Sequence, residues 1–217
     1  MADDSSRAGA SYSTPQLLAF LAETHTPHDA ALAAAFATPD RAGIPAIHVG
    51  PSEGKLLEVL LRMVGAKNVV EVGTLAGFSA IHLARGLPED GHLHTIEFDP
   101  KHAALARENL EKAGLSSKVT VHEGAGVDVL PKLSAKGPFC AVFIDADKGN
   151  YDKYGAWAAA NVRKGGLLLG DNAHYFGKLM EDSEPAAAMR RFHQEARAAF
   201  DTVCIPTPDG LLLGVRK

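Results

Sequence analysis

Disulfides, structural zinc and a nucleic-acid surface are what this sequence first argues against. Only two cysteines occur in 217 residues, Cys140 inside an apolar stretch and Cys204 near the C-terminus. Two are too few for a disulfide framework, and their spacing is not that of a metal site. Both read as packing residues of a protein in a reducing compartment. There is no excess of basic residues either: the net charge is −4, and lysine and arginine are scattered along the chain. That removes the electrostatic case for nucleic acid or an anionic membrane surface and favours a small-molecule partner. No apolar run reaches the length of a membrane span, and residues Met1 to Ser13 carry Asp3 and Asp4 without an apolar core. Neither a signal peptide nor a membrane anchor is expected, and the expected location is cytoplasmic. Repeats and low-complexity tracts are absent apart from an alanine bias in the early helices.

What is present suffices for one sizeable core: 46% of residues are hydrophobic and 22% charged, and one domain over residues 14–217 is expected behind a small, polar, mobile segment over 1–13. Thr14-Pro15 reads as an N-cap with proline at the first helical position, predicting a helix to about His25. An alanine-rich helix follows from about Asp29 to Ala37, stopped by Thr38-Pro39-Asp40. The segment from there to Pro51, with Gly43, Pro45 and Gly50, reads as a loop long enough to be functional, a lid being one option. From Ser52 to Val64 the apolar residues return to helical spacing, and Gly65 ends the run.

Strand and helix patterns then alternate. Strands are predicted at Asn68–Val72, His92–Phe98, Lys118–His122, Phe139–Asp145 and Leu167–Gly170. Helices are predicted at Phe78–Arg85, Pro100–Ala113, Val127–Leu133, Tyr151–Val162 and Pro185–Phe200. Val203–Ile205 and Leu211–Val215 flank a Pro/Gly turn as an antiparallel hairpin. This is the pattern of an α/β, doubly wound, Rossmann-like sheet, parallel except for its C-terminal hairpin.

Two places carry chemistry. The first is Val69-Val70-Glu71-Val72-Gly73-Thr74-Leu75-Ala76-Gly77-Phe78-Ser79, an apolar strand running through a glycine-bearing turn into a helix. It is a nucleotide-type loop, but Gly73 and Gly77 have no glycine between them. The pyrophosphate fingerprint G-x-G-x-x-G is therefore incomplete, which weakens a dehydrogenase reading. Glu97 closes the second strand, where a carboxylate commonly accepts hydrogen bonds from ribose hydroxyls, whereas Asp99 before Pro100 fills the N-cap role. The second place is the pair of strand ends at Asp145 and at Asp171-Asn172. Adjacent parallel strands would bring these three oxygen donors together at the rim where open α/β sheets bind ligands. Such a set suits a hard cation such as magnesium, with Lys148 left as a candidate base. The plainer reading of each aspartate alone is a helix cap or loop carboxylate, and that of Lys148 is a solvated lysine.

The spaced glycines without a phosphate fingerprint, the acidic second-strand end and the antiparallel hairpin resemble the class I S-adenosylmethionine-dependent methyltransferases. Phe143-Ile144-Asp145-Ala146-Asp147-Lys148-Gly149-Asn150-Tyr151 with Gly170-Asp171-Asn172 resembles, more narrowly, the cation-dependent O-methyltransferases that act on caffeoyl-CoA and catechol. The resemblance runs from about Val49 to the end. It implies Asp145, Asp171 and Asn172 as ligands of a divalent metal such as Mg2+, and Lys148 as the base. It implies Glu71, Gly73, Ser79 and Glu97 as holding S-adenosylmethionine, with Val49, Thr74 and Ala125 lining that site and Asp145 bordering it. A homodimer is implied as well.

The chain departs from plant-like members after Asn172, where Ala173-His174-Tyr175-Phe176 stands in place of a T-L-W-N pattern, and it has no clear insertion loop for caffeoyl-CoA. A catechol-type acceptor is expected instead. His174 and Tyr175 are candidates for its pocket, a surface loop histidine being the equal alternative for His174. Chemistry then links metal and lysine. In-line methyl transfer needs an ionised oxygen, vicinal hydroxyls on magnesium favour the phenolate, and a neighbouring dication favours a neutral, proton-accepting amine. His92-x-His94 is read as a solvent-facing pair with no role.

Overall fold

Apolar runs that continue without alternation, such as Phe139 to Ile144, predict strands covered on both faces, because successive side chains point to opposite sides of a sheet. The computed structural model, which describes residues 3–7 and 12–217, has that architecture. Residues 1–2 and 8–11 lie outside the described residues, so much of the expected mobile segment falls there. The chain opens with α1 (Asp4–Arg7), α2 (Pro15–His25), α3 (Ala30–Phe36), α4 (Thr38–Ala42) and α5 (Pro51–Met63). It continues through β1 (Asn68–Val72), α6 (Phe78–Gly86), β2 (His92–Glu97), α7 (Pro100–Lys112), β3 (Val119–Glu123) and α8 (Gly126–Leu133). The last third holds β4 (Phe139–Ile144), α9 (Tyr151–Asn161), β5 (Val162–Gly170), α10 (Glu184–Ala199), β6 (Phe200–Ile205) and β7 (Leu211–Arg216).

The seven strands form one sheet in the order β3-β2-β1-β4-β5-β7-β6, with β7 antiparallel to both β5 and β6 and the other neighbours parallel. Along β4, Ala141 and Phe143 enter one core with α5 and α6, while Val142 and Ile144 enter the other with α9 and α10. A Phe143 side chain so buried contributes about 1.5–3 kcal/mol relative to an exposed one. The strand order reverses between β1 and β4, which creates the crevice at their C-terminal ends where ligands of such sheets bind.

Three local readings change. Thr38-Pro39-Asp40 ends α3 but also starts α4, since proline is tolerated in the first helical turn, and Gly43 at φ 61° closes that short helix. The remaining loop, 43–50, is correspondingly shorter. Strand β5 begins at Val162 rather than Leu167, because its pairing with β4 jumps from Phe139↔Val162 to Ala141↔Leu167 across a bulge. His94 does not face solvent: it is 7% exposed, lies 3.1 Å from His122 Nε2 through its Nδ1, and packs edge-on against Phe139. Burial there pushes its pKa down to about 4. Among the described residues no helix is long and apolar enough to cross a membrane.

Candidate active site

The turn after β1 is built around close backbone packing. Gly73 has φ 97°, and a Cβ placed on it would stand 1.9 Å from the Asp145 carbonyl oxygen. Only glycine lets β1 leave the sheet so tightly against the end of β4. Gly73 N donates to Ile96 O at 2.9 Å and Asp145 N donates to Val72 O at 2.8 Å, so the turn is laced to β2 and β4 alike. Glu97 secures the next residues: its Oε2 accepts from Thr74 N at 3.2 Å and Leu75 N at 2.7 Å, and its Oε1 from Asp99 N at 2.9 Å. Above this turn opens a cavity of about 770 Å3. Gly73, Thr74, Ser79, Glu97, Ala125, Asp145, Lys148 and Asn172 all line it.

Glu71 sits beneath that floor rather than in it. It is fully buried, and its carboxylate accepts from Ser79 Oγ at 2.5 Å and Thr95 Oγ1 at 2.6 Å, while Thr95 in turn meets Thr74 Oγ1. Burial pushes its pKa up from 4.5 to about 7, against the opposing pull of the two hydroxyls. The folded chain thus keeps a proton on Glu71 that the unfolded chain releases near pH 4.5. The associated stability is fully present below the unfolded value and is lost as pH rises through about 7. The loss should approach about 3 kcal/mol between pH 4.5 and 8. Denaturant unfolding of wild type and Glu71→Gln at pH 5 and pH 8 measures it. A wild-type-minus-variant difference that does not change with pH would mean that Glu71 is ionised in the folded chain.

Register brings the two acidic strand ends together. Ile144 pairs with Gly170, so the next residues, Asp145 and Asp171, stand side by side, and Asp171 N donates to Ile144 O at 2.9 Å. Burial pushes Asp171 up to about 7, helped by the Asp145 carboxylate and by Glu53; burial raises Asp145 too, against Lys148. Lys148 Nζ lies 3.2 Å from Asp145 Oδ1. Asn172 adopts φ 52°, a left-handed conformation that asparagine tolerates better than most residues. Two crowded, buried carboxyl groups whose pKa values are both raised form a site where a cation would favour the ionised forms. No group of three or more His, Cys, Asp or Glu among the described residues is arranged to hold a metal ion. The oxygen donors at these strand ends, two carboxylates and the Asn172 amide, could hold a hard, oxygen-preferring divalent cation.

Other expected site residues lie around the cavity without lining it. Asp171 and Val49 line a small separate void with Glu53 and Phe143. His174 is exposed and Tyr175 half-buried, and the residue of that segment which lines the cavity is Phe176. Tyr175 and Phe176 are both left-handed, at φ 51° and 53°, and the turn before β7 holds them there: Asp209 Oδ1 accepts from Phe176 N at 2.8 Å. The sequence reading did not single out Ile47, His48, Phe98 or Phe176, all of which line the cavity. Phe98 and Phe176 are 75% and 61% exposed, an unusual fate for phenylalanine that only the fold reveals. Ile47 and His48 belong to the loop read as a possible lid.

The O-methyltransferase family profile matches residues 28–217. A catechol O-methyltransferase of Niastella koreensis is 43% identical over 201 residues, covering 87% of this chain and 91% of that protein. A second catechol O-methyltransferase, from Mycobacterium tuberculosis, is 45% identical over 175 residues, covering 81% and 79%. Among solved structures, the O-methyltransferase from Bacillus cereus in complex with SAH superposes with a TM-score of 0.89 at 33% identity, covering 93% of this chain and 97% of that one.

Proposed function

This chain belongs to the O-methyltransferase family, and from that premise we propose that it moves a methyl group from S-adenosylmethionine to one hydroxyl of a catechol-type small molecule, with a divalent cation such as magnesium. The observation that carries the reading is the side-by-side pair Asp145 and Asp171 at the switch point, with Lys148 on the cavity wall beside them. The catechol O-methyltransferase names of two relatives support the acceptor class. The SAH complex of the Bacillus cereus protein supports the donor, since SAH is what the donor becomes.

In this reading the cavity divides between donor and acceptor. Glu97, with the Thr74 and Ala125 walls, takes the nucleoside end of the donor. Asp145, Asp171 and Asn172 hold the cation, which when bound would favour the ionised form of a vicinal diol. Lys148 accepts the hydroxyl proton on Nζ: the O–H bond breaks and an N–H bond forms. The ionised oxygen then takes the methyl carbon in line, and the carbon–sulfur electron pair stays on sulfur. Phe176 and Ile47 offer apolar walls to the acceptor. Helix α2 buries none of its residues and exposes Leu17, Leu18 and Phe20, which supports association of two copies. Methyl transfer to a catechol, assayed with and without a chelator, tests the core of the proposal. Undiminished turnover after exhaustive chelation would remove the cation, and no methylated catechol under any condition would remove the acceptor class.

Glu97→Ala should weaken donor binding by about 10- to 100-fold, from the loss of charge-assisted hydrogen bonds worth roughly 1.5–3 kcal/mol. Because Glu97 also secures Thr74 and Leu75, Glu97→Gln should fall between wild type and alanine. Calorimetry with S-adenosylmethionine decides, and an affinity unchanged in both variants would take Glu97 out of the donor site.

A further inference from the structure

We propose that Tyr151 is a positioning residue that fixes which face of the Lys148 amine meets the acceptor, an inference that rests on Lys148 being the base. Tyr151 is fully buried, with its ring edge-on to Phe192 at 5.3 Å. Its hydroxyl lies 3.0 Å from Asp171 O, 3.2 Å from Ile144 O and 2.8 Å from Lys148 Nζ. Both carbonyls can only accept, so they engage the single phenolic proton. The Tyr151 oxygen can then offer Lys148 only a lone pair.

The consequence follows from the valence of nitrogen. Lys148 Nζ meets two acceptors, the Tyr151 hydroxyl at 2.8 Å and Asp145 Oδ1 at 3.2 Å. A neutral amine has two N–H bonds and one lone pair. Two fixed acceptors engage both N–H bonds and leave the lone pair as the one unassigned direction, on a side chain that lines the cavity. When the acceptor hydroxyl gives up its proton, that position receives it, and the same N–H later returns the proton to water. Without the Tyr151 hydroxyl, one N–H is free to rotate, and the lone pair faces the acceptor only part of the time. The hydroxyl also ties Lys148 to the backbone ends of β4 and β5, the same two strand ends that carry Asp145 and Asp171.

Tyr151→Phe keeps the ring and removes only the hydroxyl. The expected result with catechol is a kcat lowered by about tenfold or more, with KM and donor affinity within about twofold of wild type. In a Lys148→Ala background the same substitution should change kcat by less than about twofold, because the residue it serves is gone. With a nitrocatechol, which is ionised at neutral pH without a base, the Tyr151→Phe deficit should shrink towards wild type. An equal loss in both backgrounds, or an equal loss for both acceptors, would show a purely structural role and overturn the proposal. Normal turnover of Tyr151→Phe beside a crippled Lys148→Ala would overturn it while sparing the base. A normal Lys148→Ala would instead sink the base assignment, and the role of Tyr151 with it. If Tyr151→Phe does not fold, 3-fluorotyrosine at position 151 weakens the oxygen as an acceptor while keeping the hydroxyl. The fluorinated enzyme should lose kcat several-fold with catechol, and unchanged turnover there would be equally decisive against the proposal.

Discussion

Asp171→Ala should reduce methyl transfer to background while leaving S-adenosylmethionine affinity within about threefold of wild type, a loss confined to kcat. The division follows from position. Asp171 stands at the end of β5, beside Asp145 and next to Asn172, whereas the groups proposed to hold the donor sit at the ends of β1, β2 and β3. In wild type, burial raises the proton affinity of both carboxylates and the Asp145 charge raises that of Asp171 further, a repulsion that a divalent cation would relieve. Removing one leaves a single carboxylate already engaged by Lys148 at 3.2 Å, a pair close to neutral with little residual attraction for a dication. Magnesium should therefore raise the melting temperature of wild type and not of the variant, since a ligand bound only to the folded state stabilises it by mass action. Asp145→Ala is the poorer test because it also frees Lys148. Equal loss of donor binding and turnover in Asp171→Ala would contradict the division, and an unchanged magnesium shift would place the cation elsewhere.

The sheet was legible because its signals are local and repeated. Unbroken aliphatic runs can satisfy both faces only in a covered parallel sheet, and their abrupt ends at Glu97, Asp145 and Asp171 mark the rim. The candidate site was legible for the same reason, since strand ends on neighbouring parallel strands converge whatever the connections do. What the sequence hid depends on distances between segments far apart in the chain. The family resemblance implies Glu71 as a donor ligand, yet its carboxylate lies under the floor, bound to Ser79 and Thr95. His174 and Tyr175 were candidates for the acceptor pocket, a surface loop histidine being the equal alternative for His174; two successive left-handed residues, anchored by Asp209, bring Phe176 to the cavity. No local propensity predicts left-handed Tyr and Phe, because tertiary contacts impose that conformation against intrinsic preference. Thr38-Pro39-Asp40 does stop α3, but the start of α4 at Thr38 was missed because proline both ends one helix and opens the next.

Gly73→Ala should be the most damaging single methyl in the molecule, and a second glycine makes the reason testable. Gly43 and Gly73 both have positive φ, 61° and 97°, so both substitutions carry left-handed strain of about 1–2 kcal/mol. At Gly43 a Cβ meets nothing within 4 Å, whereas at Gly73 it would stand 1.9 Å from Asp145 O, where real Cβ contacts essentially never fall below 3.0 Å. The obstacle is backbone rather than a flexible side chain, so relief requires β1 and β4 to separate at their ends. The total cost at Gly73 is then about 2–5 kcal/mol, the strain plus an overpacking penalty of roughly 1–3 kcal/mol. That separation would also move Asp145, and with it the partner of Lys148 and one half of the carboxylate pair. Gly73→Ala should accordingly lose both stability and turnover, while Gly43→Ala loses only about 1–2 kcal/mol and keeps its kcat. Denaturant unfolding and steady-state assays of the two variants side by side measure the difference. Equal destabilisation would mean that conformational strain alone explains glycine at position 73, and that the turn does not depend on its contact with the end of β4.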